Sequence, residues 1–234
     1  MMNNRLEYRL IGRRALFTDP ISKLGGEKFS YPIPTYQALK GITESIYWKP
    51  TIIWFVDRVR VVNKIDTETI NTRWIKHDGN KKETQLSLYT YLPNVEYQVQ
   101  VHFEWNETRC DLRCDQNENK HYFSAKRMLK RGGRRDIFLG TRECQGYVEE
   151  CSFGEGEGFY DNSKDMHFGL MFHGFDYPDE TGIDELRSRY WNPEMVNGTI
   201  NFEKPQNCNI RRFIKNMKSN AISSTEEIYE GEML

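Results

Sequence analysis

The chain has 234 residues, of which 38% are hydrophobic, and a formal net charge of -1 from 33 basic and 34 acidic side chains. This size and apolar content predict a globular protein with its own core, and the balanced charge neither requires nor excludes a polyanionic partner. Four arginines interrupt the first 20 residues and no apolar stretch approaches the length of a membrane span, so we expect a cytoplasmic protein with no membrane partner.

The first 150 positions predict alternating strands and helices. Period-two alternation, as of Leu6, Tyr8 and Leu10, predicts a strand, and apolar residues three and four positions apart predict a helix. Pro50 and the pair Gly132-Gly133 are helix-ending signals. In chain order these patterns predict a strand over 5–12, a helix over 34–48, strands over 51–62 and 95–105, a helix over 117–131 and a strand over 143–153.

The order β-α-β-β-α-β predicts an α+β protein with the ferredoxin-like, split βαβ arrangement, in which both helices pack on one face of an antiparallel sheet. We predict this domain over residues 1–152, with an insertion at about 63–94. RNA-recognition domains bind on the other, open face of such a sheet. The fold alone does not establish that function.

Beyond the first domain the sequence predicts a connection, a small module and a tail. The run Gly154–Gly158 predicts a flexible connection, and 153–216 a small antiparallel β-sheet module. Its hairpin is expected to turn at Asn197-Gly198, because both residues tolerate a positive φ. The polar residues of 217–234 offer little to bury and predict a flexible acidic tail.

Positive charge is concentrated at the end of the second helix and in the following loop. Residues 126–143 carry seven basic and two acidic side chains, a local balance of +5. A solvated helix face would explain the helical lysines. The loop 132–135 combines glycines, whose amides can approach a phosphate, with arginines that can bind it bidentately. The predicted RNA-binding residues are Lys126, Arg127, Lys130, Arg131, Gly132, Gly133, Arg134, Arg135 and Arg142.

Lys120 and His121 are predicted at the first turn of the second helix, where the helix dipole favours a neutral imidazole. Such a histidine can exchange a proton near neutral pH, although an ordinary surface histidine is the commoner interpretation. Tyr47, at the end of the first helix, is equally compatible with a half-buried packing residue. The sequence does not show whether the two helix ends meet.

Five cysteines without a Cys-x-x-Cys pair are typical of reduced cytosolic thiols. Cys110, Cys114 and His121 could approach a metal but lack a fourth ligand. We therefore expect no metal and no cofactor. A cysteine hydrolase would need a nucleophile and base pair, for which the sequence offers no candidate.

Several long motifs, in one order along the chain, resemble a single known family. The family is the CRISPR-associated fifth Cas family, subtype d (also called subtype c), of type I-C systems. The motifs are ALFTDP (Ala15 to Pro20), GGEKFSYPIPTYQALKG (Gly25 to Gly41), PTYQALKGITESIYWKP (Pro34 to Pro50), NENKHY (Asn117 to Tyr122), GGRRDIFLGTRECQGYV (Gly132 to Val148) and HGFDYPDETG (His173 to Gly182).

This resemblance implies a repeat-associated (RAMP) ferredoxin-like domain with a C-terminal β-sheet region. It also implies an endoribonuclease that cleaves the repeat hairpin of precursor CRISPR RNA (pre-crRNA) and stays with the mature crRNA and the other subunits of the interference complex. The catalytic residues implied are Tyr47 of the IYWKP motif and Lys120 and His121 of the KHY motif. Non-specific contact with duplex DNA is a further expectation.

Metal-free RNA cleavage needs a base for the 2'-hydroxyl, an acid for the leaving 5'-oxygen and a cation for the phosphorane. Tyr47 and His121 would fill the two proton roles, in an order that the sequence leaves open, and Lys120 the electrostatic one. The expected products carry a 2',3'-cyclic phosphate and a 5'-hydroxyl. The alternative is a non-catalytic crRNA-binding subunit with the same basic residues, and only cleavage activity separates the two functions.

Overall fold

The structure, a computed structural model, describes the backbone of residues 4–18, 27–78 and 81–219, and the side chains of these residues apart from 74–85. It has a mixed α and β fold with one large sheet, one small sheet and two principal helices. The elements are β1 (Arg5–Ala15), β2 (Glu27–Phe29), α1 (Tyr36–Ile46), β3 (Ile52–Val61), β4 (Glu68–Asp78), β5 (Lys81–Trp105), a 3-10 helix (Cys110–Asp115), α2 (Glu118–Lys130), β6 (Ile137–Phe138), β7 (Gln145–Glu150), β8 (Met166–His167), β9 (Met171–Asp176), α3 (Pro178–Thr181), β10 (Glu185–Trp191), β11 (Glu194–Val196), β12 (Thr199–Asn201), a second 3-10 helix (Pro205–Asn207) and β13 (Ile210–Asn216).

The centre of the large sheet has the strand order β7-β1-β5-β3, and each neighbouring pair is antiparallel. Both long helices pack on one face of these strands. Tyr8 of β1 bonds Thr43 of α1 at 2.9 Å, and the ring of Phe103 in β5 meets that of His121 in α2 at 6.2 Å. Tyr8 lies opposite Val99 in the pairing of β1 with β5. Val99 and Phe103 are on the same face of β5, because side chains alternate along a strand, so both helices contact the same face of the sheet.

Capping residues and backbone conformation next to each helix determine where it begins or ends. Thr35 caps α1 by accepting a hydrogen bond from the Ala38 amide at 3.2 Å, so the helix begins after the predicted Pro34. Helix α1 stops one turn before Pro50, because Tyr47 is already extended, with φ -155° and ψ 128°. The predicted cap of α2 is confirmed, since Gly132 follows the helix with φ 83° and donates to the Leu129 carbonyl at 2.8 Å.

The predicted insertion at 63–94 is an antiparallel ribbon. Strand β4 pairs along its length with the first part of β5, and β5 then continues into the large sheet through one irregular residue, Asn94 (φ 47°). The prediction that this strand begins at 95 is therefore wrong, because it begins at Lys81. Side chains of Tyr89 and Tyr91 already share a face, with their rings stacked at 6.0 Å, well before the predicted start.

The predicted C-terminal module over 153–216 is not one sheet. Its hairpin does turn at Asn197 (φ 47°) and Gly198 (φ 74°), as predicted. Strand β12 of that hairpin pairs with β3 and so extends the large sheet, whereas β9, β10 and β13 form the small sheet. The division at residue 152 therefore does not separate two independent sheets.

The segment Gly154–Gly158 differs from the predicted flexible connection, because buried side chains hold its backbone. Arg60 donates to the carbonyls of Glu155 at 3.1 Å and Gly156 at 2.8 Å. Gln98 accepts from the Gly154 amide at 2.8 Å. Arg60 and Gln98 are cross-strand neighbours on the face opposite the helices, so this segment covers part of the face that was expected to be open.

Of the predicted acidic tail 217–234, residues 220–234 lie outside the described residues, and the tail stays a prediction. At its start the Met217 amide donates to the Asp184 carbonyl at 3.1 Å. Within the described ranges, no helix combines the length and apolarity needed to cross a bilayer.

Two glycines with nearly equal φ provide a test of close packing. At Gly140 (φ +93°) a Cβ would lie 2.0 Å from the Leu16 carbonyl oxygen, whereas at Gly154 (φ +92°) it would meet nothing within 4 Å. We expect Gly154→Ala to lower the free energy of unfolding by about 1–3 kcal/mol through backbone strain alone. Gly140→Ala should lower it by about 1–3 kcal/mol more, through overpacking. Urea denaturation, with an unchanged m value, measures the loss of stability in each variant. Equal losses in the two variants would contradict the clash at Gly140.

Candidate active site

The structure brings together Tyr47 and His121, which are 74 positions apart in the chain. The Tyr47 hydroxyl lies 2.9 Å from Nδ1 of His121, and Nε2 of the same ring lies 2.9 Å from the backbone carbonyl oxygen of Asp115. Because a carbonyl oxygen only accepts, Nε2 carries the hydrogen, and in the neutral ring Nδ1 has a lone pair. The Tyr47 hydroxyl therefore donates the hydrogen bond to Nδ1.

Local structure holds each member of this Tyr47–His121 pair. The extended backbone of Tyr47 is fixed by the indole of Trp54, which donates to its carbonyl at 2.7 Å. The imidazole of His121 packs against the ring edges of Phe103 and Trp105, at centroid distances of 6.2 and 5.7 Å. The two rings therefore have little freedom to separate.

Burial gives the two residues different access to a substrate. His121 is 0% exposed and Tyr47 is 6% exposed. Burial, and next the charge of Asp115, raise the pKa of Tyr47, and nearby Lys120 and Arg134 only partly oppose them. Tyr47 is therefore a neutral phenol at ordinary pH. His121 is therefore enclosed by protein in this structure, whereas Tyr47 keeps a small exposed fraction.

Lys120 stands beside the pair, with 53% of its side chain exposed. Its ammonium forms an ion pair with Oδ1 of Asp115. The other oxygen of that carboxylate accepts a hydrogen bond from the Thr51 hydroxyl at 2.7 Å. These contacts, led by that of Lys120, lower the pKa of Asp115, so the carboxylate is ionised. Sequence reasoning missed Asp115 and Thr51, because no motif or periodicity marks either residue.

A stripe of α2 continues from Lys120 away from the pair. Lys120, Ser124, Arg127 and Arg131 follow one another at intervals of four, three and four residues, which places them on one face of a helix. Ser124 is one of the neighbours that partly oppose the rise in the pKa of Tyr47. The stripe therefore begins at the candidate site and ends at the glycine-rich loop.

The glycine-rich loop 132–135 lies against the end of α1. The amides of Arg134 and Arg135 both donate to the Ser45 carbonyl at 3.0 Å. Those of Gly132 and Gly133 donate to α2 carbonyls at 2.8 and 2.9 Å. The expectation that these amides cradle a phosphate is therefore wrong for the protein alone, because all four already have carbonyl partners. The glycines cap the helix, and the arginine side chains are what the loop presents.

The predicted RNA-binding side chains fall into two groups. Lys126 lies over the Tyr122 ring at 5.8 Å, and Lys130 lies 3.7 Å from Glu150, so both belong to another face of α2. The second group consists of arginines without an ion pair. Among the residues that the structure describes, no carboxylate oxygen lies within 4.0 Å of their guanidinium groups. Its members are exposed, and they are Arg127, Arg131, Arg134, Arg135 and Arg142.

The cysteines near His121 do not form a ligand set with it. Cys110 and Cys114 are exposed, and the Cys110 thiol faces the Glu107 carbonyl at 3.3 Å. Both nitrogens of His121 have other partners. Among the residues that the structure describes, no group of three or more His, Cys, Asp or Glu side chains could hold a metal ion.

Comparison with known proteins places the chain in a family. Residues 5–203 match the Cas5d family model, described as CRISPR-associated protein (Cas5). The chain belongs to the Cas5d family. This confirms the resemblance seen in the sequence. Tyr47, Lys120, His121 and the loop 132–135 all lie inside the matched region.

Two curated proteins and a solved structure are similar to this Cas5d chain. A protein of Mannheimia succiniciproducens named CRISPR pre-crRNA endoribonuclease Cas5d is 28% identical over 56% of this chain, and the match spans 65% of that protein, just under two thirds. A protein of the same name from Thermus thermophilus is 27% identical over 78% of each chain. A crystal structure of a CRISPR-associated protein superposes with a TM-score of 0.75 at 37% identity, covering 91% of this chain and 99% of the other.

Proposed function

We propose that this Cas5d chain is a pre-crRNA processing endoribonuclease that cuts at the repeat hairpin without a metal ion. The observation that carries the proposal is the Tyr47–His121 hydrogen bond, with the imidazole tautomer fixed. A cation, Lys120, and exposed arginines lie beside it. The names of the Mannheimia and Thermus relatives supply the substrate class.

The same proposal includes a ferredoxin-like fold for the core of the chain. The strand order β7-β1-β5-β3 supports it, because the four strands alternate with two helices as β-α-β-β-α-β and all neighbours are antiparallel. The ends of both helices then come together on one face of the sheet. Tyr47 follows one of these helices and His121 lies in the first turns of the other.

The proposed reaction begins with the Tyr47–His121 pair as the base. The ribose 2'-hydroxyl gives its proton to the Tyr47 oxygen while Tyr47 passes its own proton to Nδ1 of His121. The 2'-oxygen then bonds to the adjacent phosphorus. The imidazole becomes positively charged, with a carboxylate oxygen of Asp115 only 3.5 Å from Nε2. The raised pKa of Tyr47 agrees with this relay, in which no free phenolate accumulates.

The same pair then acts as the acid. With Nδ1 protonated, the Tyr47 oxygen accepts from it and its own hydrogen points outward to the RNA. As the bond from phosphorus to the 5'-oxygen breaks, that oxygen takes the hydrogen from Tyr47, and Nδ1 returns one to Tyr47. Every proton taken is given back. The products carry a 2',3'-cyclic phosphate and a 5'-hydroxyl.

Positive charge near Tyr47 stabilises the phosphorane. The Lys120 ammonium and the Arg134 guanidinium are the two cations that act on Tyr47 electrostatically. A charge developing in a site with little water is stabilised more than one in bulk solvent. Lys120 therefore has the electrostatic role, and its exposed side chain leaves it accessible to the RNA.

Binding to the RNA backbone is proposed for the exposed arginines of α2 and the following loop. Phosphate contacts of this kind persist after the cut, so the protein is expected to stay on the mature crRNA as a cytoplasmic subunit of the type I-C interference complex. Because such contacts carry no base specificity, non-specific binding of duplex DNA belongs to the same proposal.

The proposed function is tested by incubating the purified chain with its own repeat RNA in excess chelator. Cleavage within the repeat, with a cyclic phosphate on the upstream fragment, is the expected result. Tight binding with no cleavage, in chelator or in magnesium, would instead support the alternative of a non-catalytic crRNA-binding subunit.

Replacing two loop arginines should change how RNA affinity depends on salt. Each phosphate contact contributes a slope of about 0.7 in log Kd against log salt for single strands, or about 0.9 for duplex. We expect Arg134→Ala/Arg135→Ala to lower the slope by about 1.4 to 1.8. Arg212→Ala, which removes an exposed arginine of the small sheet, is the control. An unchanged slope in the double variant would place the RNA elsewhere.

A further inference from the structure

We propose that Asp115 is a positioning residue of this reaction, which holds Lys120 beside Tyr47 with its carboxylate and fixes the reactive tautomer of His121 with its backbone carbonyl. The inference rests on the proposed function, since it assigns a role within the same site. It adds a residue that contacts both Lys120 and His121 but does not itself act on the RNA.

The carboxylate of Asp115 is anchored to the sheet. Its Oδ2 accepts from the hydroxyl of Thr51 at 2.7 Å. Thr51 is 2% exposed and precedes β3, and its carbonyl accepts from the Asn106 amide at 2.9 Å. Oδ1 accepts from the ammonium of Lys120. Without this contact, the flexible lysine side chain would extend into solvent. The lysine is therefore held at the site by a rigid element.

The backbone carbonyl of Asp115 is anchored to the other side of the site. It accepts from the Asn117 amide at 2.8 Å as well as from Nε2 of His121 at 2.9 Å. Asn117 is the N-cap of α2, so the carbonyl is fixed relative to the helix that carries His121. A ring turned over to place Nδ1 against this carbonyl would no longer present its lone pair to Tyr47.

The charge of Asp115 indicates that this role concerns the chemical step. A carboxylate beside a phosphate-binding surface repels the RNA, so its presence weakens binding. If Asp115 did nothing but repel the RNA, its removal would strengthen binding and favour the phosphorane. If it is a positioning residue, its removal slows the chemical step although the site becomes more positive. The two roles therefore predict opposite effects on the rate.

The test compares Asp115→Asn with Asp111→Asn in the full chain. Asp111 lies in the same 3-10 helix and pairs with Arg109 at 2.7 Å, so its replacement removes the same charge without touching the site. Under single turnover with saturating repeat RNA, we expect Asp115→Asn to cut roughly 10- to 100-fold more slowly, with Kd unchanged or lower. Asp111→Asn should cut at the wild-type rate. Thr51→Val, which keeps the charge but releases Oδ2, should also cut more slowly.

A second readout follows Lys120 without any cleavage. The hydrogen bond that Lys120 donates to Asp115 raises the pKa of Lys120, and only the unprotonated amine is acylated. Losing Asp115 lowers that pKa, so acetic anhydride should acylate Lys120 several-fold faster in Asp115→Asn than in the wild type. Lys126 serves as the internal reference, and thermal melting of each variant shows that it is folded.

The outcomes separate the two proposals. Cleavage by folded Asp115→Asn at the wild-type rate or faster, or an unchanged acylation rate of Lys120, would overturn the role of Asp115. Failure of the wild-type chain to cut repeat RNA would overturn the proposed function and, with it, any role of Asp115 in cleavage. In that case the acylation rates would still show whether Asp115 holds Lys120 in the protein.

Discussion

Tyr47→Phe, which removes a single hydroxyl, is expected to slow cleavage of repeat RNA by roughly 10²- to 10⁴-fold, the usual effect of losing a proton-transfer group. In the proposed relay the Tyr47 hydroxyl is the group that meets the 2'-hydroxyl, because His121 is completely buried. The Kd for RNA should stay the same, since the arginines proposed to bind phosphate are untouched. Single-turnover rates and a binding isotherm on the same RNA measure the two effects.

The matched control is Tyr147→Phe, which removes a hydroxyl from a tyrosine of β7 that is 62% exposed. It should cut at the wild-type rate. His121→Ala should lose as much activity as Tyr47→Phe, and the double variant should lose little more, because the two residues act as one relay. Since His121 packs in the core, its variant must first be shown to melt cooperatively. Wild-type rates in both single variants would mean that another group takes the proton.

Replacing one 2'-hydroxyl of the RNA by hydrogen, at the nucleotide just upstream of the cut, is expected to abolish cleavage. The proposed nucleophile is then missing, so the intramolecular attack on the adjacent phosphate cannot occur. Binding should be unaffected, because one hydroxyl contributes little to an interface dominated by phosphate contacts. Gel separation of the labelled RNA and a filter-binding Kd give both results.

Two controls make this experiment decisive. A deoxy substitution one nucleotide further downstream should be cut normally, since that hydroxyl is not adjacent to the reacting phosphate. The all-ribose RNA should be cut equally in excess EDTA and in magnesium. Cutting of the first deoxy RNA, or activity lost in EDTA and restored by magnesium, would point to a metal-activated water as the nucleophile.

Features that depend on residues close together in the chain were predictable from the sequence. The N-terminal strand, both helices and the Gly132 cap follow from period, proline and glycine signals, and the structure has them within a few residues. The hairpin at Asn197-Gly198 follows from two residues that tolerate a positive φ. The catalytic candidates Tyr47, Lys120 and His121 came from motif resemblance, and the sequence could not show that they meet.

Features that depend on distant contacts were not predictable. The role proposed for Asp115 depends on its hydrogen bond with Thr51, which lies 64 positions away, so no spacing could indicate it. The amides of the loop 132–135 looked available for phosphate because their partner, the Ser45 carbonyl, belongs to another helix. Strand β5 passes from the ribbon into the sheet without a turn, so alternation alone could not place a boundary at 95.

The two bonds from the loop to the Ser45 carbonyl limit how the protein can be engineered. A carbonyl at the end of α1 has no partner within its own helix, and these amides satisfy it two residues before Tyr47. Inserting or deleting a residue in the loop would break this link and loosen the helix end next to Tyr47, whose hydroxyl is the proposed proton-transfer group. Variants for other RNAs should therefore keep the loop length and exchange only side chains, such as Arg135, that point away from the backbone contacts.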